Sequence, residues 1–105
     1  MTDYLIVLIT TASKEEAERI VNTLIDEKLI ACGNIIDPVQ SCFFWDDKKT
    51  SETESLLILK THRRVFQALE ARVKAIHSYL LPEIIAIPIV DGSSEYLNWM
   101  EKIIK

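Results

Sequence analysis

The spacing of apolar positions changes from segment to segment along the chain, and each spacing predicts an element. Tyr4 to Ile9 is a continuous apolar run, too short for a typical helix, and predicts a strand. Ser13-Lys14-Glu15-Glu16 then has the form of a capping box, in which the serine oxygen takes an orphan amide and the glutamate reaches back. Ala17, Ile20, Val21, Leu24 and Ile25 recur every three or four residues, an apolar stripe on a helix of about four turns. Leu29 to Trp45 is apolar and β-branched but interrupted by Asp37-Pro38. Proline cannot donate a ladder hydrogen bond, so a long strand with a bulge or bend is expected there. Asp46-Asp47-Lys48-Lys49 predicts a polar turn, and Glu54 to Lys60 the returning arm of a hairpin. A helix is expected from about His62 to Ile76, with Val65, Leu69, Val73 and Ile76 on its inner stripe. Ile84 to Val90 predicts another strand, with Pro88 near an end or an edge. Asp91-Gly92-Ser93-Ser94 leads into a short terminal helix marked by Tyr96, Met100 and Ile103.

The resulting order is β-α-β-β-α-β plus a final helix. It predicts an α+β, ferredoxin-like split βαβ domain over residues 1–105, with one antiparallel sheet and helices on one face. Such a sheet should alternate apolar and polar residues, yet Tyr4–Ile9, Leu56–Leu59 and Ile84–Val90 do not. The open face would then expose too much aliphatic surface for a monomer. Either another copy covers that face or the C-terminal helix folds back over it.

Composition narrows the classes. No apolar run approaches the roughly 18 residues that span a bilayer, so no membrane partner is expected. The N-terminus lacks a basic region, an apolar core and a small-residue cleavage site, which predicts no signal peptide and, by default, a cytoplasmic location. A net charge of −4 argues against nucleic acid; Lys60, His62, Arg63 and Arg64 read as the solvated start of a helix. Cys32 and Cys42 form no Cys-x-x-Cys pair, predict no disulfide framework, and face the same way only if the Asp37-Pro38 bend preserves parity.

Candidate chemistry gathers near the helix-to-strand junctions. His77 is a metal ligand by type, since imidazole suits Cu, Zn and Ni; its other reading is a helix-end cap bonded to backbone. Glu83 joins it only if the loop between them doubles back. Cys32 offers a soft ligand for Cu(I), or a buried core position. Lys60 suits a ligand carboxylate or phosphate, or an intersubunit ion pair with Glu83. Tyr79, Trp45 and Trp99 line a pocket or pack an interface. No nucleophile–base pair, Gly-rich phosphate loop or His-x-x-x-His is present, so no enzyme is predicted.

Several of these stretches recur together in one family. Ile6-Val7-Leu8-Ile9-Thr10, Glu27 to Ile36, Trp45, Leu57 to Thr61, His77 to Pro88 and Tyr96-Leu97-Asn98-Trp99 resemble the CutA divalent-cation-tolerance family nearly end to end. The resemblance implies a compact homotrimer similar in architecture to the PII signalling proteins, and an association with copper and other divalent metals. On that reading His77 is the main ligand, with Glu83 and Cys32 contributing. An alternative implied by the same architecture is a small-molecule sensor or interaction scaffold, with intersubunit clefts lined by Lys60, Tyr79, Glu83 and Trp99. The chain departs from the pattern at four places. Ile9 and Ile76 stand where some members carry cysteine and histidine, Ser78 replaces the proline of His-Pro-Tyr, and Asp47 replaces a hairpin glycine.

Overall fold

Side chains of β1 (Tyr4–Thr11) alternate strictly between buried and half-buried, although the sequence beneath them is apolar from Tyr4 to Ile9. The computed structural model describes residues 2–105. After β1 come α1 (Lys14–Asp26), β2 (Cys32–Trp45), β3 (Lys48–His62), a 3-10 turn at Arg63–Val65, α2 (Phe66–Ile76), β4 (Ile84–Pro88) and α3 (Ser94–Ile103). The four strands form one sheet in the order β2-β3-β1-β4, with every neighbouring pair antiparallel.

One face of the sheet carries the core. Val7, Ile9, Leu57 and Leu59 meet Ala17, Ile20 and Leu24 of α1 and Leu69 and Val73 of α2 there. Removing these aliphatic side chains from water contributes about 1.5–3 kcal/mol each, the main term holding the helices to the sheet. Close approach is required at Gly33, where an added Cβ would stand 2.9 Å from Cγ1 of Val21. The helix starts as its capping box predicts: Ser13 Oγ accepts the Glu16 amide at 3.1 Å. The glutamate half differs. Its carboxylate reaches past Ser13 to the amide of Ala12 at 3.3 Å, and also crosses to another loop.

The opposite face is apolar but only partly covered. Register places Ile6, Lys60, Cys32 and Ile87 in one row, and Leu8, Ile58, Asn34 and Ile85 in the next. Ile85 and Ile87 remain 51% and 46% exposed. α3 covers one end of this face, where Tyr4 Oη donates to Glu101 at 3.0 Å. Met100 of the same helix is fully buried in the core cluster.

Beyond the sheet body, β2 and β3 continue as a two-stranded ribbon that gives the molecule a long dimension of 44 Å. Its turn is only Asp46-Asp47, shorter than the polar stretch predicts, because Lys48 already pairs with Trp45. Both turn residues have positive φ, 51° and 60°, the left-handed geometry that matches strand twist and that aspartate tolerates. β3 therefore begins six residues before the expected Glu54. Lys48 to Thr53 is polar on both sides and shows no apolar period, so only its hydrogen-bonded partner reveals it as strand.

Candidate functional site

A register shift in β2 decides which side chains share a surface. Ile36 pairs with Leu56, but Val39 pairs with Glu54, so three steps on β2 oppose two on β3. The extra residue at the Asp37-Pro38 bend reverses parity. Cys32 pairs with Lys60 on the open face, while Cys42 pairs with Ser51 on the other side. The two thiols thus face opposite ways, and the bend does not preserve parity. By the same shift Ser41, Phe43 and Trp45 join Thr50, Glu52 and Glu54 on the open-face side.

These residues form one wall of a cleft of about 760 Å³, and the loop between α2 and β4 supplies the other through Tyr79, Leu81 and Glu83. Glu54 is 7% exposed, and Tyr79 Oη donates to its Oε2 at 2.7 Å. Burial and that acidic partner raise the Tyr79 pKa well above the usual phenol range. Glu83 is raised too, first by burial and then by the charge of Glu54. Glu52, Glu54 and Glu83 have no basic partner among the described residues, so the cleft concentrates uncompensated negative charge between aromatic rings.

Glu16 fastens the loop that carries Tyr79 and Glu83. Its carboxylate accepts the Ser78 amide at 2.7 Å and the Ser78 hydroxyl at 3.0 Å. Burial alone would raise the Glu16 pKa, but these bonds and that from Ala12 outweigh it and lower it.

His77 sits in the same knot and combines both readings of its sequence position. It ends α2, and its side chain is 0% exposed. Nδ1 accepts the Tyr79 amide at 3.0 Å, so the proton is assigned to Nε2, which bonds Thr10 O at 2.8 Å. As packed in one chain, neither ring nitrogen is free for a metal. Cys32 lies elsewhere, in the Ile6 row, whereas His77 reaches Thr10 four residues along β1, about 13 Å away at the strand rise. One chain therefore does not assemble His77, Glu83 and Cys32, and among the described residues no group of three or more His, Cys, Asp or Glu is placed to hold an ion.

The second predicted grouping also divides. Tyr79 and Glu83 line the cleft, but Lys60 and Trp99 lie at the far end of the open face. Lys60 Nζ donates to Asn34 Oδ1 and stands 3.8 Å from Cys32 Sγ. Trp99 packs against Tyr96 at 5.4 Å between ring centroids. The Tyr96 pKa is raised by burial and by the neighbouring Cys32. Sequence reasoning missed Glu52, Glu54 and Glu16. The available signal was the Glu-x-Glu spacing opposite an aromatic arm, which becomes legible only once the register shift is known.

The fold and cleft define a small α+β protein with a one-face core, an apolar second face and an acidic–aromatic groove. A family profile described as CutA1 divalent ion tolerance protein matches residues 5–103. A divalent-cation tolerance protein CutA from Thermus thermophilus is 42% identical over 97 residues, 92% of this chain and 94% of the relative. One from Archaeoglobus fulgidus is 43% identical over 99 residues, 94% and 96% of the two chains. A solved CutA1 from Oryza sativa superposes with a TM-score of 0.96 at 38% identity, covering 99% of this chain and 95% of that one. The chain belongs to the CutA1 divalent ion tolerance family. Names within the family specify cation tolerance rather than a catalysed reaction. They also place relatives in different compartments, chloroplastic in rice and periplasmic in Archaeoglobus fulgidus.

Proposed function

We propose that this protein serves divalent-cation tolerance as a cytoplasmic homotrimer of ferredoxin-like subunits that binds a divalent metal, copper foremost. The observation that carries the reading is the family match across residues 5–103. The apolar open face supports assembly, because Leu8, Ile58, Ile85 and Ile87 make a contiguous surface that a second copy would bury. Ligands from neighbouring copies complete the metal site, since one chain separates Cys32 from Glu83 and His77. Glu83 is exposed and carries no ion pair among the described residues. His77 enters the set when the Tyr79 amide leaves Nδ1, which couples metal uptake to movement of the loop at residues 77–83.

Native mass spectrometry under reducing conditions, with and without stoichiometric Cu(I), Cu(II) and Zn(II), tests both parts. A trimer holding metal in fixed ratio, reduced in Glu83→Gln and lost in His77→Ala, is the expected result. A trimer that stays bare removes the metal role and leaves the assembly. A monomer at micromolar concentration removes the assembly.

A further inference from the structure

The loop between α2 and β4 is held in place chiefly by polar bonds. No residue from Ser78 to Glu83 is buried, and Leu80 and Leu81 stand 104% and 73% exposed. Segments with so little apolar burial open more readily than the body they are attached to. Three clasps oppose that: Ser78 on Glu16, the Tyr79 amide on His77 and the Tyr79 hydroxyl on Glu54. The first is bidentate and charge-assisted, the Ser78 amide donating to Oε2 of Glu16 at 2.7 Å and the hydroxyl to Oε1 at 3.0 Å. Its acceptor cannot follow the loop outward, because Glu16 is buried in the first turn of α1 and also holds the Ala12 amide.

This clasp sits on the one residue between His77 and Tyr79. The His77 side chain is 0% exposed, with Nε2 at 2.8 Å from Thr10 O and Nδ1 taken by the Tyr79 amide at 3.0 Å. Nδ1 comes free only when the Ser78–Tyr79 peptide turns away, and Ser78 is tied at both its amide and its hydroxyl. Oε2 of Glu16 stands 3.7 Å from Nδ1, so the carboxylate that ties Ser78 also closes that side of the ring. We propose that Ser78 and Glu16 form a gate over His77. They touch no ligand; they position a loop that opens and closes in the metal-free chain, and its opening sets the rate at which the imidazole becomes available. Metal uptake then waits for the loop instead of displacing it, a consequence that rests on the reading of His77 as a metal ligand. The gate itself is a property of the metal-free protein and is tested separately.

Carbethoxylation of the metal-free protein by diethyl pyrocarbonate at constant neutral pH, followed by peptide mass mapping, reads the open state, because the reagent needs a free imidazole nitrogen. His62, half-buried and with only Nδ1 hydrogen-bonded among the described residues, is the internal reference. His77 should react about tenfold or more slowly than His62 in wild type. Ser78→Ala removes the hydroxyl half of the clasp and should speed His77 by about tenfold. Ser78→Pro removes both halves and should speed it further; His77 already has φ −79° and ψ 142°, the extended conformation that proline requires of the residue before it. Ser78→Thr keeps both donors and should restore the wild-type rate. Stopped-flow mixing with Cu(II), read by tryptophan fluorescence, should give an uptake rate that levels off as metal rises, at a plateau that follows the same order. Equal His77 reactivity in wild type, Ser78→Ala and Ser78→Pro would overturn the gate. An uptake rate proportional to metal throughout, or a plateau indifferent to the variants, would overturn it while leaving the metal reading intact. No uptake in any variant, with His77 reactivity in the expected order, would support the gate and remove the metal reading.

Discussion

Replacing Glu16 by alanine is expected to destabilise the fold by about 2–4 kcal/mol at neutral pH, more than an ordinary substitution within a helix. The side chain is 6% exposed, and its carboxylate receives bonds at 2.7, 3.0 and 3.3 Å from Ser78 and Ala12. Hydrogen bonds to a charged group contribute about 1.5–3 kcal/mol each, but they are not additive, and Ser78 is exposed enough to be rehydrated. That compensation keeps the expected loss well below the simple sum. The sign with pH follows from the lowered folded pKa: the stabilisation is complete above the unfolded value of 4.5 and is lost as pH falls through the folded value. The gap between wild type and Glu16→Ala should therefore be widest at neutral pH and close in acid. Glu16→Gln, which keeps one acceptor, should fall between the two. Urea unfolding at fixed protein concentration, at about pH 7 and again below pH 4, measures the gap. A gap below about 0.5 kcal/mol at neutral pH, or one unchanged in acid, would refute the account of this knot.

Tyr79→Phe removes the donor to buried Glu54 and should cost about 1–3 kcal/mol. Because the folded phenol pKa is raised, that advantage is present below the ordinary value of 10.0 and is lost as pH climbs through the raised one. Thermal unfolding at about pH 7 and pH 10 should show the difference at both, and a variant as stable as wild type at neutral pH would exclude the bond as a stabiliser. Leu8→Asp puts a charge at the centre of the open face, and sedimentation velocity should show a smaller species; an unchanged coefficient would mean that face is not the assembly surface. Under mild oxidation no Cys32–Cys42 bridge should form within a chain, because the thiols face opposite ways. Peptide mapping under non-reducing conditions checks this, and Cys42, the more exposed, should alkylate first.

Much of the architecture was legible because burial imposes a period on the sequence. The stripe Ala17, Ile20, Val21 and Leu24 is buried, and Val65, Leu69 and Val73 line the second helix as their spacing predicts. The bend at Asp37-Pro38 was legible from proline chemistry, but its effect on parity was not, since a bulge adds one residue to a count that composition does not reveal. The outer half of β3 carries no apolar signal because neither of its faces meets the core. The site was harder still. His77 was foreseen as chemically capable, yet its nitrogens are committed to Thr10 and Tyr79 by contacts that span the fold. Glu52 drew no reading and Glu54 only that of a strand start, because it is the partner strand that places aromatic rings beside them.

The register shift at Asp37-Pro38 also makes the ribbon tolerant of a change in length. The bulge already absorbs one residue, since three steps on β2 oppose two on β3. Deleting one residue there would restore simple alternation and leave the pairs further out in place: Val39 against Glu54, Phe43 against Thr50 and Trp45 against Lys48. The ribbon holds two different chemical surfaces back to back, and its pairing with β3 decides which of them the cleft receives. The loss of a single codon at the bend would therefore pass silently at the ribbon's surface.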